Sequence, residues 1–147
     1  MKYKDVFKKK RPCPFDHPKP EDVILKNESV YVTYALAPYH RDHLLVVPRR
    51  HVIEILEMTK KEMEDTDAML DKLWKLYRKN FKYRNVSFLL REGKGSGASL
   101  SHLHYHIIPE VKIGNMIYTT QAKSDNRKTL SPRQIKNEIK RIKAILK

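Results

Sequence analysis

Three histidines at alternating positions, His102, His104 and His106, sit in the run Ser-His-Leu-His-Tyr-His-Ile-Ile-Pro at residues 101 to 109. In an extended strand alternate side chains share a face, so the three imidazoles line one side while Leu103, Tyr105 and Ile107 line the other. The apolar side faces a core. A buried imidazole needs partners for its ring nitrogens, so a row of three is a poor filler and a good lining for a site. Pro109 closes the strand, because it has no N–H for the ladder. Alternate residues lie ~6.6 Å apart, so the outer pair spans ~13 Å and one ion cannot be held by all three. Three readings remain open on the residues alone. Either the rings are buried structural histidines with all their hydrogen bonds satisfied, or two of them hold a metal with a third ligand from elsewhere, or one ring is a nucleophile that its neighbours orient.

Just upstream, Gly93, Gly95 and Gly97 supply three of the chain's four glycines, and the run ends in Ala98-Ser99. Backbone N–H groups in such a loop can come close to an anion. The imidazole row and a phosphate-like loop are therefore neighbours in sequence.

Elsewhere the pattern is mixed. Residues 29–36 alternate and are rich in β-branched and aromatic types, a strand; a turn at 38–42 leads to a second strand at 43–47, giving an antiparallel pair. Thr59 and Glu62 form a capping-box pattern. From it Met63, Leu70, Leu73, Trp74, Tyr77 and Phe81 recur at helical spacing to about residue 80, a core or dimer face. Residues 85–91 read as a buried strand, and 111–128 as a strand fragment followed by a polar loop. Ser131-Pro132 starts a last helix, with Ile135, Ile139, Ile142 and Leu146 as its apolar stripe. Strands and helices are thus interleaved, an α+β chain.

The 147 residues suit a single domain, and one cysteine excludes an internal disulfide framework. There is no apolar signal core, and no apolar run approaches the ~20 residues of a membrane span. We therefore expect a cytoplasmic protein with no membrane partner. The net charge of +14 is concentrated at the ends: +5 in residues 1–11 and +7 in 123–147, against +2 in between. Such ends are either solvated tails or a means of steering nucleic acid. The expected divisions are a basic arm at 1–11, a domain at 12–128 and a basic amphipathic helix at 129–147.

The run His-x-His-x-His with two apolar residues after it resembles the signature of the histidine-triad (HIT) family of nucleotide hydrolases and transferases. The block at 43–51, His-Leu-Leu-Val-Val-Pro-Arg-Arg-His, is similar to the family's upstream strand, and Cys13-Pro-Phe-Asp16 adds a third match. Together they cover roughly residues 12 to 110. The resemblance implies a HIT-like fold, an antiparallel sheet of about five strands with one main helix packed on it and a C-terminal helix, in a homodimer. It implies that His104 attacks the α-phosphate of a nucleotide, with AMP as the expected nucleoside monophosphate. His102 and His106 would flank it, and Ser99 would contact the phosphate or leaving group. Phe15 and Leu36 would wall the base, with Arg91 and Gly97 near the phosphates.

This chain departs from its relatives in three places. Ala35 stands where they carry an Asp for the ribose hydroxyls, Arg91 where many have Asn, and Ala98 where the hydrolase branches have Gln. Gly97-Ala98-Ser99 resembles the nucleotidyltransferase branch, yet His106 is kept where that branch often has Gln. No cofactor is required for the chemistry. The resemblance does imply a structural zinc at Cys13, Asp16, His51 and His102, with His17 as a rival ligand; without zinc, His51 would line the phosphate side. Two other readings stay open, removal of AMP from adenylylated DNA ends as in aprataxin-like relatives, and a nucleotide-binding module without turnover.

Overall fold

Short β-branched and aromatic runs bounded by turns assemble an antiparallel sheet. The computed structural model describes residues 12–112 and 127–146. Its strands are β1 (Leu25–Lys26), β2 (Val30–Tyr34), β3 (Leu44–Pro48), β4 (Val86–Leu90) and β5 (Tyr105–Pro109), in the order β1-β2-β3-β5-β4. Every neighbouring pair is antiparallel. Helix α1 (Lys60–Phe81) and helix α2 (Pro132–Ile145) complete the architecture. This is the expected α+β, HIT-like arrangement, a five-stranded sheet with one long helix and a C-terminal one. The fifth described strand is β1, ahead of β2; the fragment expected after residue 111 falls mostly outside the described residues, as does the arm at 1–11.

Both helices share one face of the sheet. Val30, Val32 and Tyr34 of β2, Leu44 and Val46 of β3 and Ile107 of β5 point there, against Met69, Leu73 and Tyr77 of α1, Ile139 and Ile142 of α2 and Leu146 at its C-terminal cap. Burying each large aliphatic side chain contributes about 1.5–3 kcal/mol. The helices begin where their caps dictate. Thr59 Oγ1 accepts from the Glu62 N–H, and Ser131 Oγ from the Gln134 N–H, each closed into a capping box. The α1 stripe is rotated from the one expected: Thr66, Met69, Leu73 and Tyr77 are its buried residues, and Met63 is 45% exposed. Met63 lies in the first turn of the helix.

Two strands also differ from expectation. β4 is an edge strand rather than a buried one, and Phe88 at its centre is 48% exposed. Its apolar content reads as burial, but only β5 pairs with it. β5 begins at Tyr105, so His102 and His104 precede the ladder. There the chain turns to other partners: the Leu103 N–H donates to the Val52 carbonyl at 2.8 Å, and the His102 ring to the Pro48 carbonyl at 2.9 Å.

Candidate active site

The sheet face opposite the helices carries the imidazoles. The β3–β5 register sets Leu45 opposite His106, so His43, two residues before Leu45, falls on the same face. On that face His43, His102, His104 and His106 are all buried, and the core side holds Leu103 and Ile107. A cavity of about 650 Å³ opens over His43, His104 and His106 and is walled by Phe15, Tyr31 and Leu45. Of the residues the sequence nominated, Phe15, Leu36, Ser99, His104 and His106 line it; Arg91, Gly97, His51 and His102 are not among its lining residues. Phe15 packs on two rings of the row, at centroid distances of 5.8 Å from His102 and 5.2 Å from His104. The glycine loop is exposed and contributes no glycine to the cavity lining. Gly93 (φ +80°) and Gly97 (φ +84°) bracket a 3-10 turn at Lys94–Ser96 with backbone that a Cβ would strain. The Arg91 side chain runs 4.0 Å from where a Gly97 Cβ would stand.

Backbone anchors fix the tautomers. A carbonyl only accepts, so His104 Nδ1, 2.9 Å from the His102 carbonyl oxygen, carries the hydrogen and leaves Nε2 bare. The Tyr39 N–H donates to His43 Nδ1 at 3.1 Å. His43 Nε2–H must then donate to His106 Nδ1, 2.9 Å away, which leaves the hydrogen of His106 on Nε2. Each orientation propagates from a peptide group. Burial keeps these rings neutral: it lowers the pKa of His104, pushes His43 down to about 3 with help from the Arg127 charge, and holds His106 well below the ordinary histidine value. A neutral ring with one bare nitrogen beside a cavity is a competent nucleophile.

His43 is the member that sequence reading missed as a functional residue. Its signal was present, since it stands an even number of residues from Leu45 and Val47 in an alternating strand, but only the β3–β5 register links it to His106. Replacing it should act through His106. His43→Ala removes the donor that fixes the His106 tautomer, and the freed Nδ1 is left buried. Turnover should fall about 10–100-fold with KM nearly unchanged, as for lost orienting partners elsewhere. A change in KM alone, in steady-state kinetics, would contradict that role.

A second cluster lies behind Phe15. Ligand-type atoms of Cys13, Asp16, His51 and His102 all lie within 4.8 Å of one another. Asp16 Oδ1 is 2.6 Å from His51 Nδ1 and 3.0 Å from His102 Nδ1, and Cys13 Sγ is 3.4 Å from His102 Nδ1. Donors around a tetrahedral ion with ~2.0–2.3 Å bonds lie about 3.3–3.8 Å apart, so the four gather on one centre and the Asp16–His51 and Asp16–His102 contacts would open by a few tenths of an ångström or more to admit it. The donor chemistry fits as well. His102 Nε2 must hold the hydrogen, because it faces the Pro48 carbonyl, so its bare Nδ1 points at a carboxylate oxygen. Two acceptors in that position repel unless a cation lies between them. Burial lowers the His102 pKa, so the cation is not readily a proton. Hydrogen bonding from His51 holds the Asp16 carboxyl below its usual range, and burial raises the Cys13 thiol. His17, the rival ligand, lies outside the cluster and lines the cavity instead.

Among the described residues no helix is long and apolar enough to cross a membrane. Comparison with known proteins points one way. The chain is 30% identical over 115 residues to a bis(5'-adenosyl)-triphosphatase of Saccharomyces cerevisiae, an alignment covering 76% of this chain and 56% of that enzyme. The chain thus spans little more than half of that relative. In fold it is similar to a Plasmodium falciparum diadenosine triphosphate hydrolase, solved in complex with cyclomarin A (TM-score 0.68, 19% identity, 86% of this chain and 77% of that one). It is also similar to a Zn-bound histidine triad family protein of Mycobacterium smegmatis (TM-score 0.63, 16% identity, 87% and 85%). The family model for the HIT domain matches residues 17–113, a stretch that holds β1 to β5, α1 and all four imidazoles of the site, and the chain belongs to that family.

Proposed function

We propose that the protein is a nucleotide hydrolase that cleaves a phosphoanhydride bond to AMP through a nucleotidyl-histidine intermediate. The observation that carries this reading is the bare Nε2 of His104, held neutral beside a cavity lined by Ser99 and an apolar wall. His104 Nε2 forms the N–P bond to the α-phosphorus as the P–O bond to the leaving phosphate breaks, and the leaving oxygen keeps the electron pair. His106 Nε2–H and the Ser99 hydroxyl line the same cavity and can donate to the phosphate oxygens as charge builds on them. Water then attacks the same phosphorus, AMP leaves, and the ring returns to its starting state. The name of the yeast relative supports bis(5'-adenosyl) triphosphate as the first substrate to try. Incubation with it should release AMP and ADP, resolved by anion-exchange chromatography. If bis(5'-adenosyl) triphosphate, bis(5'-adenosyl) tetraphosphate and adenosine phosphoramidate all bind and none is cleaved, the protein is a binding module instead.

We further propose that Cys13, Asp16, His51 and His102 hold a structural zinc. When bound, the ion ties the Pro-rich segment that carries Phe15 to β3 and to the start of the triad, and supplies no step of the reaction. The M. smegmatis relative, described as Zn-bound, supports the choice of metal. Protein loaded with zinc and then dialysed should retain about one ion per chain by mass spectrometry. Cys13→Ala should retain markedly less, and a chelator should lower the melting temperature of the parent alone. Negligible retention by the parent would dismiss the ion.

A further inference from the structure

The cavity extends well beyond the imidazoles. β1 pairs only with Tyr31 and Val32, so from Thr33 onward β2 has an open margin. The cavity follows that margin past Ala35, Leu36 and Ala37 and rounds the edge of the sheet, from the imidazole face to the first turns of α2 on the other. The segment before α2 is pinned across the same stretch. The Leu130 N–H donates to the Leu36 carbonyl at 3.0 Å and Arg127 Nη1 to the Ala37 carbonyl at 2.7 Å, with the Arg127 guanidinium 3.5 Å over the Tyr39 ring. Farther along, the Arg141 and Glu138 side chains pair with Asp42 and Arg41 of the β2–β3 turn. α2 is therefore a fixed wall of the cavity.

That wall is cationic. Arg133 and Lys136 line the cavity from α2, and among the described residues neither has an ion-pair partner. Lys19 and His17 line the cavity too. Two carboxylates, Glu21 and Asp22, also line it, from the 3-10 turn that follows Lys19. Between the α2 wall and the triad lie Ala35, Leu36 and Ala37, which offer a sugar no carboxylate. Direction matters as well. In the strand order, β5 with its triad lies two places from β2, about 10 Å at ~4.8 Å per strand. The glycine loop, Ser99 and Arg91 flank β5 on the β4 side, where a leaving phosphate chain would run. Arg133 and Lys136 stand on the other side, beyond β2.

Resting on the nucleotide reading above, we propose that the cavity takes a nucleotide phosphorylated on its ribose. Its 5'-phosphate lies at His104 and Ser99, and a second phosphate, on the 2' or 3' hydroxyl, lies between Arg133 and Lys136. A phosphate dianion gains from two cations carried one turn apart on the same helix. Ala35, which lines the cavity between the α2 wall and the triad, adds no negative charge to repel it.

Calorimetric titration with AMP, adenosine 3',5'-bisphosphate and adenosine 2',5'-bisphosphate tests this without any turnover. At low salt at least one bisphosphate should bind about tenfold more tightly than AMP, or better, and the preference should shrink as salt rises. In an Arg133→Ala/Lys136→Ala protein the ratio should fall to about one; Arg133→Gln/Lys136→Gln, which keeps more of the side-chain packing, should do the same. Equal affinities in the parent, no binding of any of the three, or a preference that survives both double variants overturns the proposal. A preference in a protein that cleaves nothing would leave the subsite standing and the hydrolase reading refuted. Cleavage of bis(5'-adenosyl) triphosphate with no preference would refute the subsite and leave the hydrolase standing.

Discussion

His104→Ala protein should lose about 10⁴-fold or more in kcat/KM on bis(5'-adenosyl) triphosphate, the scale seen when a covalent nucleophile is removed. No neighbour can stand in for it. His106 carries its hydrogen on Nε2, His43 has both nitrogens engaged, and His102 turns its bare nitrogen toward Asp16 and Cys13. With α-phosphate-labelled substrate and a denaturing quench, the parent should retain label on His104 and the variant none. Label retained by the variant would assign the attack to another residue. The pH profile follows from the same burial. Desolvation lowers the His104 pKa, and the hydrogen bond to the His102 carbonyl only partly opposes it. kcat/KM should therefore be flat near neutrality and fall on the acid side through a pKa below the ordinary ~6.5. An acid limb above that value would mean the ring is not desolvated.

The second large effect concerns stability. Asp42 is 3% exposed and is met by Arg141 Nη2 at 2.5 Å and by the Tyr83 hydroxyl. Arg141→Ala leaves that carboxylate buried without its counter-charge, which costs about 3–5 kcal/mol when a buried pair is broken. The neighbouring Arg41–Glu138 pair has geometry nearly as good, but Arg41 is 65% exposed, so its removal should cost under about 1 kcal/mol. Urea denaturation distinguishes the two. Asp42→Asn/Arg141→Met should recover much of the loss, because the uncompensated charge is gone. An Arg141→Ala loss no larger than that of Arg41→Ala would show that water reaches Asp42.

Much of this site was legible in the sequence because strand parity is a strong constraint. Once Leu103, Tyr105 and Ile107 are assigned inward, His102, His104 and His106 have one face left. The capping boxes at Thr59 and Ser131 marked both helix starts for the same reason: each satisfies backbone donors within four residues of itself. What escaped were relations between distant residues. The partnership of His43 and His106 spans 63 positions and depends on register. The edge position of β4 depends on strand order, and its apolar residues look the same at a margin as in the middle. The tautomers depend on carbonyls at Pro48 and His102 and on the Tyr39 N–H, groups that every residue possesses and no composition distinguishes.

The shortness of β1 has a cost that α2 offsets. A sheet border with free N–H and C=O groups is a template onto which a strand from another molecule can add. Past Thr33 the Leu130 and Arg127 contacts take up the Leu36 and Ala37 carbonyls, and the first turns of α2 face the border across the cavity. The helix that walls the nucleotide cavity is thereby also a guard against self-association, and loosening it would expose the chain to aggregation as well as open the pocket.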